Sequence, residues 1–384
     1  MADRPASPLV TFYVMAFNQE RFIREAAEGA LRQTYSPLEI VLSDDCSTDN
    51  TFTTMQEAVR DYSGPHRIIL NRNERNLGIS DHLNRIIEMS TGELIVSSDG
   101  DDVSSPERTA RCVDVWLEQG KPAALVTAVS CIDAAGKGTR HGEWFTRFLP
   151  VEHETRDQSL LRFCQTGVPA LSTCSAAWTR ELCEAFGPLP RDIWIEDSII
   201  SLRAWLFDRI VFIPEALVAY REHEANICNR HRKPLATLQA RREAEHARKV
   251  EERLRRESIM TYGPDLDVAA RRRWISPQMY EELTPLLESQ CRVHRVIEDW
   301  WSVGWGMRFV RFLVLIASGR LLEGRWCGPR LLPFHVFIFT AAIWSRSRTT
   351  ARKWVDDLRS SPGATLLAIC QITSTVVPAV LLRV

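Results

Sequence analysis

The 384 residues predict an α/β fold: a doubly wound, mainly parallel sheet followed by a helical C-terminal appendage. Three observations lead there. Apolar runs of strand length alternate with amphipathic segments of helix length as far as Ile132. A polar insertion follows the carboxyl end of the early runs, at Ala16–Asn18, Ser43–Asp49, Asn71–Gly78 and Asp99–Asp102. Beyond Asn229 the composition changes, with Arg, Glu and Ala dense and large apolar residues sparse.

In order, Leu9–Met15 is an apolar strand, and Glu20–Gln33 sets Phe22, Ile23, Ala26, Ala30 and Leu31 on one helical face. Leu38–Leu42 is a second strand and Asn50–Tyr62 a helix. His66–Leu70 follows as strand, and after Asn76-Leu77-Gly78 a helix runs to about Met89. Glu93–Ser97 is strand, Pro106–Gln119 helix and Ala123–Ile132 strand again. Further on, Ala170–Trp178 reads as strand and Glu181–Phe186 as a short helix ending at Gly187. A helix then runs from Ser198 to Phe207. His231–Arg256 reads as a solvated arm, Pro264–Trp274 as linker or turn, and Met279–Val303 as helix. The expected divisions are 1–229, 230–304 and 305–384.

Composition narrows the function. Hydrophobic and charged fractions of 45% and 25% are those of an ordinary folded protein, and a formal net charge of -1 excludes a general nucleic-acid binder. Ten cysteines with no CxxC pair read as reduced, mostly buried thiols. Met1–Pro8 carries no apolar signal segment, so a cytoplasmic protein is expected. There is no GxGxxG after the first strand, which disfavours a dinucleotide site. Neither HExxH nor GxSxG occurs. Ala135–Thr139 looks like part of a phosphate loop, but Cys131 stands where its first glycine belongs, so a hairpin turn is expected.

The chemistry concentrates in Ser97-Ser98-Asp99-Gly100-Asp101-Asp102 behind Leu94-Ile95-Val96. An acidic turn at a strand's carboxyl end is where an α/β sheet presents ligands. Clustered carboxylates repel one another and suit a hard cation, Mg²⁺ or Mn²⁺, against a diphosphate. The alternative is a solvated acidic turn capping the next helix at Ser104 or Ser105.

Taken together, the motifs resemble family 2 glycosyltransferases over about Pro8 to Asn226. Asp44-Asp45-Cys46-Ser47-Thr48-Asp49 resembles the family's DDgStD, with Cys46 where glycine is usual. Asn76-Leu77-Gly78 resembles its N-x-G, and Asp99-Gly100-Asp101, extended by Asp102, its DxD. Glu196-Asp197 resembles the ED motif, and Tyr220–Asn226 the YRxHxxN that closes many bacterial members.

The resemblance implies a GT-A fold and inverting transfer of a sugar from a nucleotide-diphosphate-sugar, a UDP-sugar by expectation, to an acceptor hydroxyl. Asp101 and Asp102 would hold the divalent metal. Asn18, Asp44, Asp45, Asn76, Asp99 and His223 would serve the donor, with Asp197 as general base and Glu196 beside it. Helix capping explains Ser47, Thr48, Asp49 and, equally, Glu196 and Asp197; turn chemistry explains Asn18 and Asn76. The context implied is surface polysaccharide or lipopolysaccharide assembly with a glycan or lipid-linked acceptor.

In the last stretch, short apolar blocks (Phe309–Ala317, Leu331–Trp344, Leu366–Leu382) are flanked by arginines and tryptophans, and Arg/Lys outnumber acids eleven to three over 301–384. That pattern suits attachment to an anionic membrane surface at its inner face; packing within a soluble helical subdomain is the alternative. Two other classes stay open. A processive membrane polysaccharide synthase would want QxxRW, of which Arg272-Arg273-Trp274 and Gly324-Arg325-Trp326 lack the glutamine. A non-catalytic nucleotide-sugar-binding protein would not need Asp101 and Asp197.

Overall fold

A computed structural model describes residues 7–139, 154–191, 193, 196–226, 246, 250 and 253–301. Eight strands form one sheet: β1 Val10–Ala16, β2 Leu38–Asp44, β3 Arg67–Arg72, β4 Leu94–Asp99, β5 Val103–Ser104, β6 Ala124–Asp133, β7 Ala176–Thr179 and β8 Ile210–Glu222. Their order is β3-β2-β1-β4-β7-β6-β8-β5. The β3-β2-β1-β4 half is parallel throughout, built by the helices α1 Ile23–Leu31, α2 Thr51–Val59 and α3 Gly78–Met89 that return the chain between strands. The other half is mixed: β7 is antiparallel to β4 and β6, β8 parallel to β6, and β5 antiparallel to β8.

Alternation along the strands sends side chains to two cores. Val10, Phe12 and Val14 face α1, α2 and α4 (Arg108–Glu118), while Tyr13 faces Trp178 and the helices that follow. With both faces covered, β1, β2 and β4 are buried almost end to end, which is why they read as continuous apolar runs. The second face is covered by α3, α5 Arg156–Thr166, α6 Arg180–Phe186, α7 Glu196–Phe207, α8 Tyr262–Arg271 and α9 Pro277–Trp301.

Four differences from the sequence reading have physical reasons. The stretch expected as linker or turn from Pro264 is helix α8. Pro264 sits in its first turn, where the missing N–H has no intrahelical partner, and Tyr262, Leu266 and Ala269 are buried in the core. Helix α7 begins at Glu196 rather than Ser198, which puts both carboxylates in its first turn. Residues 173–175 form a 3₁₀ turn ahead of β7 instead of extending that strand. Finally, Ile210–Glu222 is one long strand. Its apolar pattern is interrupted at Pro214-Glu215, and the register with β6 jumps there, from Thr127–Ile213 to Ala128–Ala216, as a bulge.

Asp133–Thr139 makes the expected turn, with the Asp133 carboxylate accepting from the amides of Ala135 and Lys137, both at 2.9 Å. Among the described residues all seven cysteines are free, and no helix is long and apolar enough to cross a membrane. Most of the arm expected over 231–256 and the whole of 305–384 lie outside the described residues.

Candidate active site

Strands β2, β1 and β4 end side by side, Ala16 opposite Asp44 and Met15 opposite Asp99. The loops beyond them are laced together. Asn18, at φ 52°, accepts from the Thr48 amide at 2.9 Å and gives its own amide to Ser47 Oγ at 2.8 Å. Asp49 accepts from the amides of Thr51 and Glu20, while the N-cap of α2 falls on Asn50, whose side chain makes no cap bond. Buried Asp44 accepts from the amide and the hydroxyl of Ser47, with Arg72 Nε 3.4 Å away. Asp45 spans the start of α3, accepting from the amides of Leu77 (2.9 Å) and Gly78 (3.0 Å) and from Asn73 Nδ2 (2.8 Å). Asn76 also accepts from the Gly78 amide, at 3.0 Å. Behind them His82 Nε2 lies 2.7 Å from Ser43 Oγ; burial holds its pKa below the usual range against the pull of Asp45 and Asp44.

At the end of β4 the backbone dives under the loop after β1. The Gly100 amide donates to the Met15 carbonyl at 2.9 Å, and a Cβ at Gly100 would stand 2.4 Å from Gln19 Oε1 and 2.7 Å from the Ala16 Cβ. Only glycine fits, and the turn it allows brings carboxylate oxygens of Asp99, Asp101 and Asp102 within 4.8 Å of one another. Asp102 is fully buried. Its Oδ1 accepts from the Arg221 amide at 2.8 Å, and among the described residues no donor reaches its Oδ2. His223 Nε2 lies 2.9 Å from Asp101 Oδ2, its ring against Phe22.

Two buried arginines brace this turn. Arg221 donates from Nε to the Asp101 carbonyl (2.8 Å) and from Nη2 to Glu25 (2.9 Å), with its guanidinium over Phe22. Arg108 donates to Ser104 Oγ and the Ala176 carbonyl. Burial pushes the Asp99 carboxyl well up, and the charges of Asp101, Glu196 and Asp197 add to it, with Arg108 opposing. Asp102 is raised in the same way, by burial and then by Asp101 and Asp99.

Glu196 and Asp197 come from the far half of the chain. Both are held by one residue: the Thr173 amide donates to Asp197 Oδ1 at 2.7 Å and its hydroxyl to Glu196 Oε1 at 2.9 Å. Burial and the charge of Asp197 push Glu196 up to about 7, and burial raises Asp197. Since both charges act on Asp99, the β4 turn and the start of α7 form a single electrostatic site.

The structure thus gathers Asp99, Asp101, Asp102, His223, Glu196 and Asp197. Asn18, Asp44, Asp45 and Asn76 stand in the adjoining loops. Arg221, Arg108 and Thr173 were missed. Arg221 lay inside a motif already singled out, two residues before His223; nothing in the sequence marks Arg108 or Thr173. Carboxylates so crowded suit a hard cation, and a raised carboxyl beside them suits proton transfer near neutral pH.

Comparison with known proteins bears directly on this site. Residues 11–186 match the family model for Glycosyl transferase family 2. That stretch of the chain is a family 2 glycosyltransferase region. It is 34% identical over 137 residues to the putative glycosyltransferase EpsE of Bacillus subtilis (strain 168), covering 35% of this chain and 48% of EpsE. To the chondroitin synthase of Escherichia coli it is 30% identical over 135 residues, covering 35% of this chain and 19% of that one. The chain therefore spans half or less of these two relatives. Among solved structures it resembles the mannosyltransferase PcManGT from Pyrobaculum calidifontis, in complex with GDP-Man and Mn²⁺. The TM-score is 0.50 at 18% identity, covering 91% of this chain and 84% of that one. The fold that contains this region is accordingly the GT-A type, a mixed sheet of eight strands between helices.

Proposed function

We propose that this chain is an inverting glycosyltransferase that moves one sugar from a nucleotide-diphosphate-sugar to an acceptor hydroxyl. The observation that carries the reading is the meeting of two carboxylate groups at the carboxyl ends of the strands. Asp99–Asp102 stand at the end of β4 and Glu196–Asp197 at the start of α7, close enough for the second pair to raise Asp99. A donor with a charged diphosphate and an acceptor with a proton to lose need these two groups side by side.

The loops after β1, β2 and β3 would receive the nucleoside. Asp44 and Asp45, bonded within the chain, would fix the loops that receive the base edge, Asn18 and Asn76 orient it, and Phe17, 44% exposed, offers a ring face for stacking. Asp99 would bind the ribose. The fit for a divalent cation rests on Asp102 Oδ2, a buried carboxylate oxygen with no donor among the described residues, within the Asp99-Asp101-Asp102 cluster. Asp101 and Asp102 would hold Mg²⁺ or Mn²⁺, and His223 would steady Asp101. When bound, such a cation neutralises charge on the departing nucleoside diphosphate. The PcManGT complex carries GDP-Man and Mn²⁺, ligands of these two kinds.

On the acceptor side, Asp197 takes the hydroxyl proton as the oxygen attacks the anomeric carbon from the face opposite the diphosphate, inverting that centre. Glu196, beside it, tunes its charge. A glycan or lipid-carried acceptor in surface polysaccharide or lipopolysaccharide assembly is the proposed context, with attachment to the inner membrane face through 305–384.

The test is a thermal-shift screen of nucleotide sugars with and without Mn²⁺, followed by product analysis with the donor that binds. A true donor raises the apparent melting temperature by mass action, and only with the cation. Absence of any such donor across UDP-, GDP- and dTDP-sugars would sink the reading. Co-sedimentation with anionic vesicles, lost on removal of 305–384, tests the membrane part.

A further inference from the structure

Thr173 is 5% exposed and holds three groups at once. Its amide donates to Asp197 Oδ1 at 2.7 Å, its hydroxyl donates to Glu196 Oε1 at 2.9 Å, and its carbonyl accepts from the Ser97 hydroxyl. Ser97 lies on β4 two residues before Asp99. Its hydroxyl also lies 2.8 Å from the Ala176 carbonyl, just beyond the 3₁₀ turn that Thr173 opens. The segment leading in is tied to the body of α7, because the amides of Ala170 and Leu171 reach Ser201 Oγ at 3.0 and 3.3 Å. One short stretch therefore docks α7 on one side and β4 on the other. The Thr173 hydroxyl that reaches Glu196 sits on a β-branched residue, whose χ1 is stiff.

From these contacts we infer that Thr173 is a positioning residue of the acceptor half, its hydroxyl fixing the Glu196 carboxylate and its amide fixing Asp197 in register with the β4 turn. The inference rests on the glycosyltransferase reading for its catalytic meaning. The geometry it predicts does not depend on that reading.

The hydroxyl and the amide can be separated. Thr173→Val keeps shape and backbone and deletes the hydroxyl that bonds Glu196, leaving the amide bond to Asp197 in place; Thr173→Ser restores the hydroxyl without the methyl. In the full chain, sugar transfer to water from UDP-N-acetylglucosamine, UDP-glucose or GDP-mannose with Mn²⁺ is measured, together with a ¹³C-carboxyl titration of Glu196. In Thr173→Val, kcat is expected to fall about tenfold to a hundredfold, with donor KM within about twofold of wild type. Thr173→Ser should recover most of the loss.

Losing a hydrogen bond to the ionised form should move the Glu196 midpoint upward from about 7 in Thr173→Val and leave it in place in Thr173→Ser. The inference is overturned if the midpoint is the same in all three proteins, if serine is as impaired as valine, or if KM changes while kcat does not. If wild-type protein turns over none of these donors, the proposed reaction fails on its own, and the titration still decides the role of Thr173. Circular dichroism and melting curves on each variant exclude misfolding as the cause.

Discussion

Two strand ends carry acidic turns, Asp44-Asp45 after β2 and Asp99–Asp102 after β4, and β1 alone separates them. In the sequence they look alike. In the structure their accounts of hydrogen bonds are opposite. Asp44 and Asp45 are saturated by the chain itself, taking the Ser47 amide, two amides at the start of α3, Asn73 and the nearby Arg72. Asp99, Asp101 and Asp102 crowd one another, and among the described residues one buried oxygen has no donor. A satisfied carboxylate is part of the architecture, whereas an unsatisfied one in a low-dielectric site is held there at a cost that a ligand's charge can offset. On the proposed function, the difference separates a loop that would shape the donor pocket from a turn that would take a cation.

The sharpest way to break this comparison is Asp101→Asn. Transfer should fall below detection and Mn²⁺-dependent binding of nucleoside diphosphate, followed by calorimetry, should go with it, while the fold persists. Binding unchanged from wild type would show that the β4 turn is not the cation site. Next in size is Asp197→Asn, expected to lose about two to four orders of magnitude in transfer with donor affinity near wild type. Asparagine keeps the acceptor oxygen that receives the Thr173 amide, so α7 should stay in place. Normal turnover would move the base to Glu196, and a loss of donor binding like that of Asp101→Asn would put Asp197 in the cation site.

Stability should separate the two turns by sign. Asp45→Ala strips α3 of the carboxylate on its first amides and should cost roughly 1–2 kcal/mol in denaturant unfolding. Asp102→Asn, by contrast, removes a buried charge and should raise the stability of the metal-free protein by about 1 kcal/mol at pH 8.

The pH dependence follows the same logic. Asp99, Asp102 and Glu196 all have carboxyls raised in the folded state, so the fold keeps protons that the unfolded chain has already released. For Glu196 that stability is fully present below the ordinary carboxylate range and is lost as pH rises through about 7; Asp99 and Asp102 act in the same direction. Melting temperature without divalent ions should therefore fall between about pH 5 and 8, and Mn²⁺ should recover it at the upper end. A flat profile would mean the crowding is already relieved by other means.

How much of this the sequence shows depends on the range of the contacts. The parallel half is legible because each strand is a local apolar run, each helix a local amphipathic pattern, and each acidic turn follows its strand directly. The Gly100 turn is legible too, since a glycine between carboxylates asks for a reason. What is not legible comes from afar. Arg221 reaches Glu25 and the Asp101 carbonyl, and Thr173 joins Ser97 to Glu196; neither pairing leaves a periodicity or a motif. Strand β8 escaped because Pro214 interrupts an otherwise clear run, and helix α8 because a proline in a first turn looks like a break. The saturation of Asp45 against the deficit at Asp102 depends on burial and donor geometry, which no spacing encodes.

The smallest effect should come from Cys46, in the saturated turn. It has φ 60°, in the left-handed region that glycine adopts most readily. The conformation is imposed: Asp44 must fold back onto Ser47 while Asp45 reaches forward to α3, and Cys46 is the residue between. A side chain with a Cβ pays about 1–2 kcal/mol there. Glycine avoids that penalty but loses roughly 0.5–1 kcal/mol more in backbone entropy on folding. The Cys46 Sγ donates to the Glu74 carbonyl at 3.6 Å, a weak bond. Cys46→Gly should therefore gain less than about 1 kcal/mol in denaturant unfolding, with donor binding and transfer unchanged. A clear loss of stability would mean that the thiol contact outweighs the strain; a change in Mn²⁺-dependent binding would mean that the two turns are not the separate devices their hydrogen bonds describe.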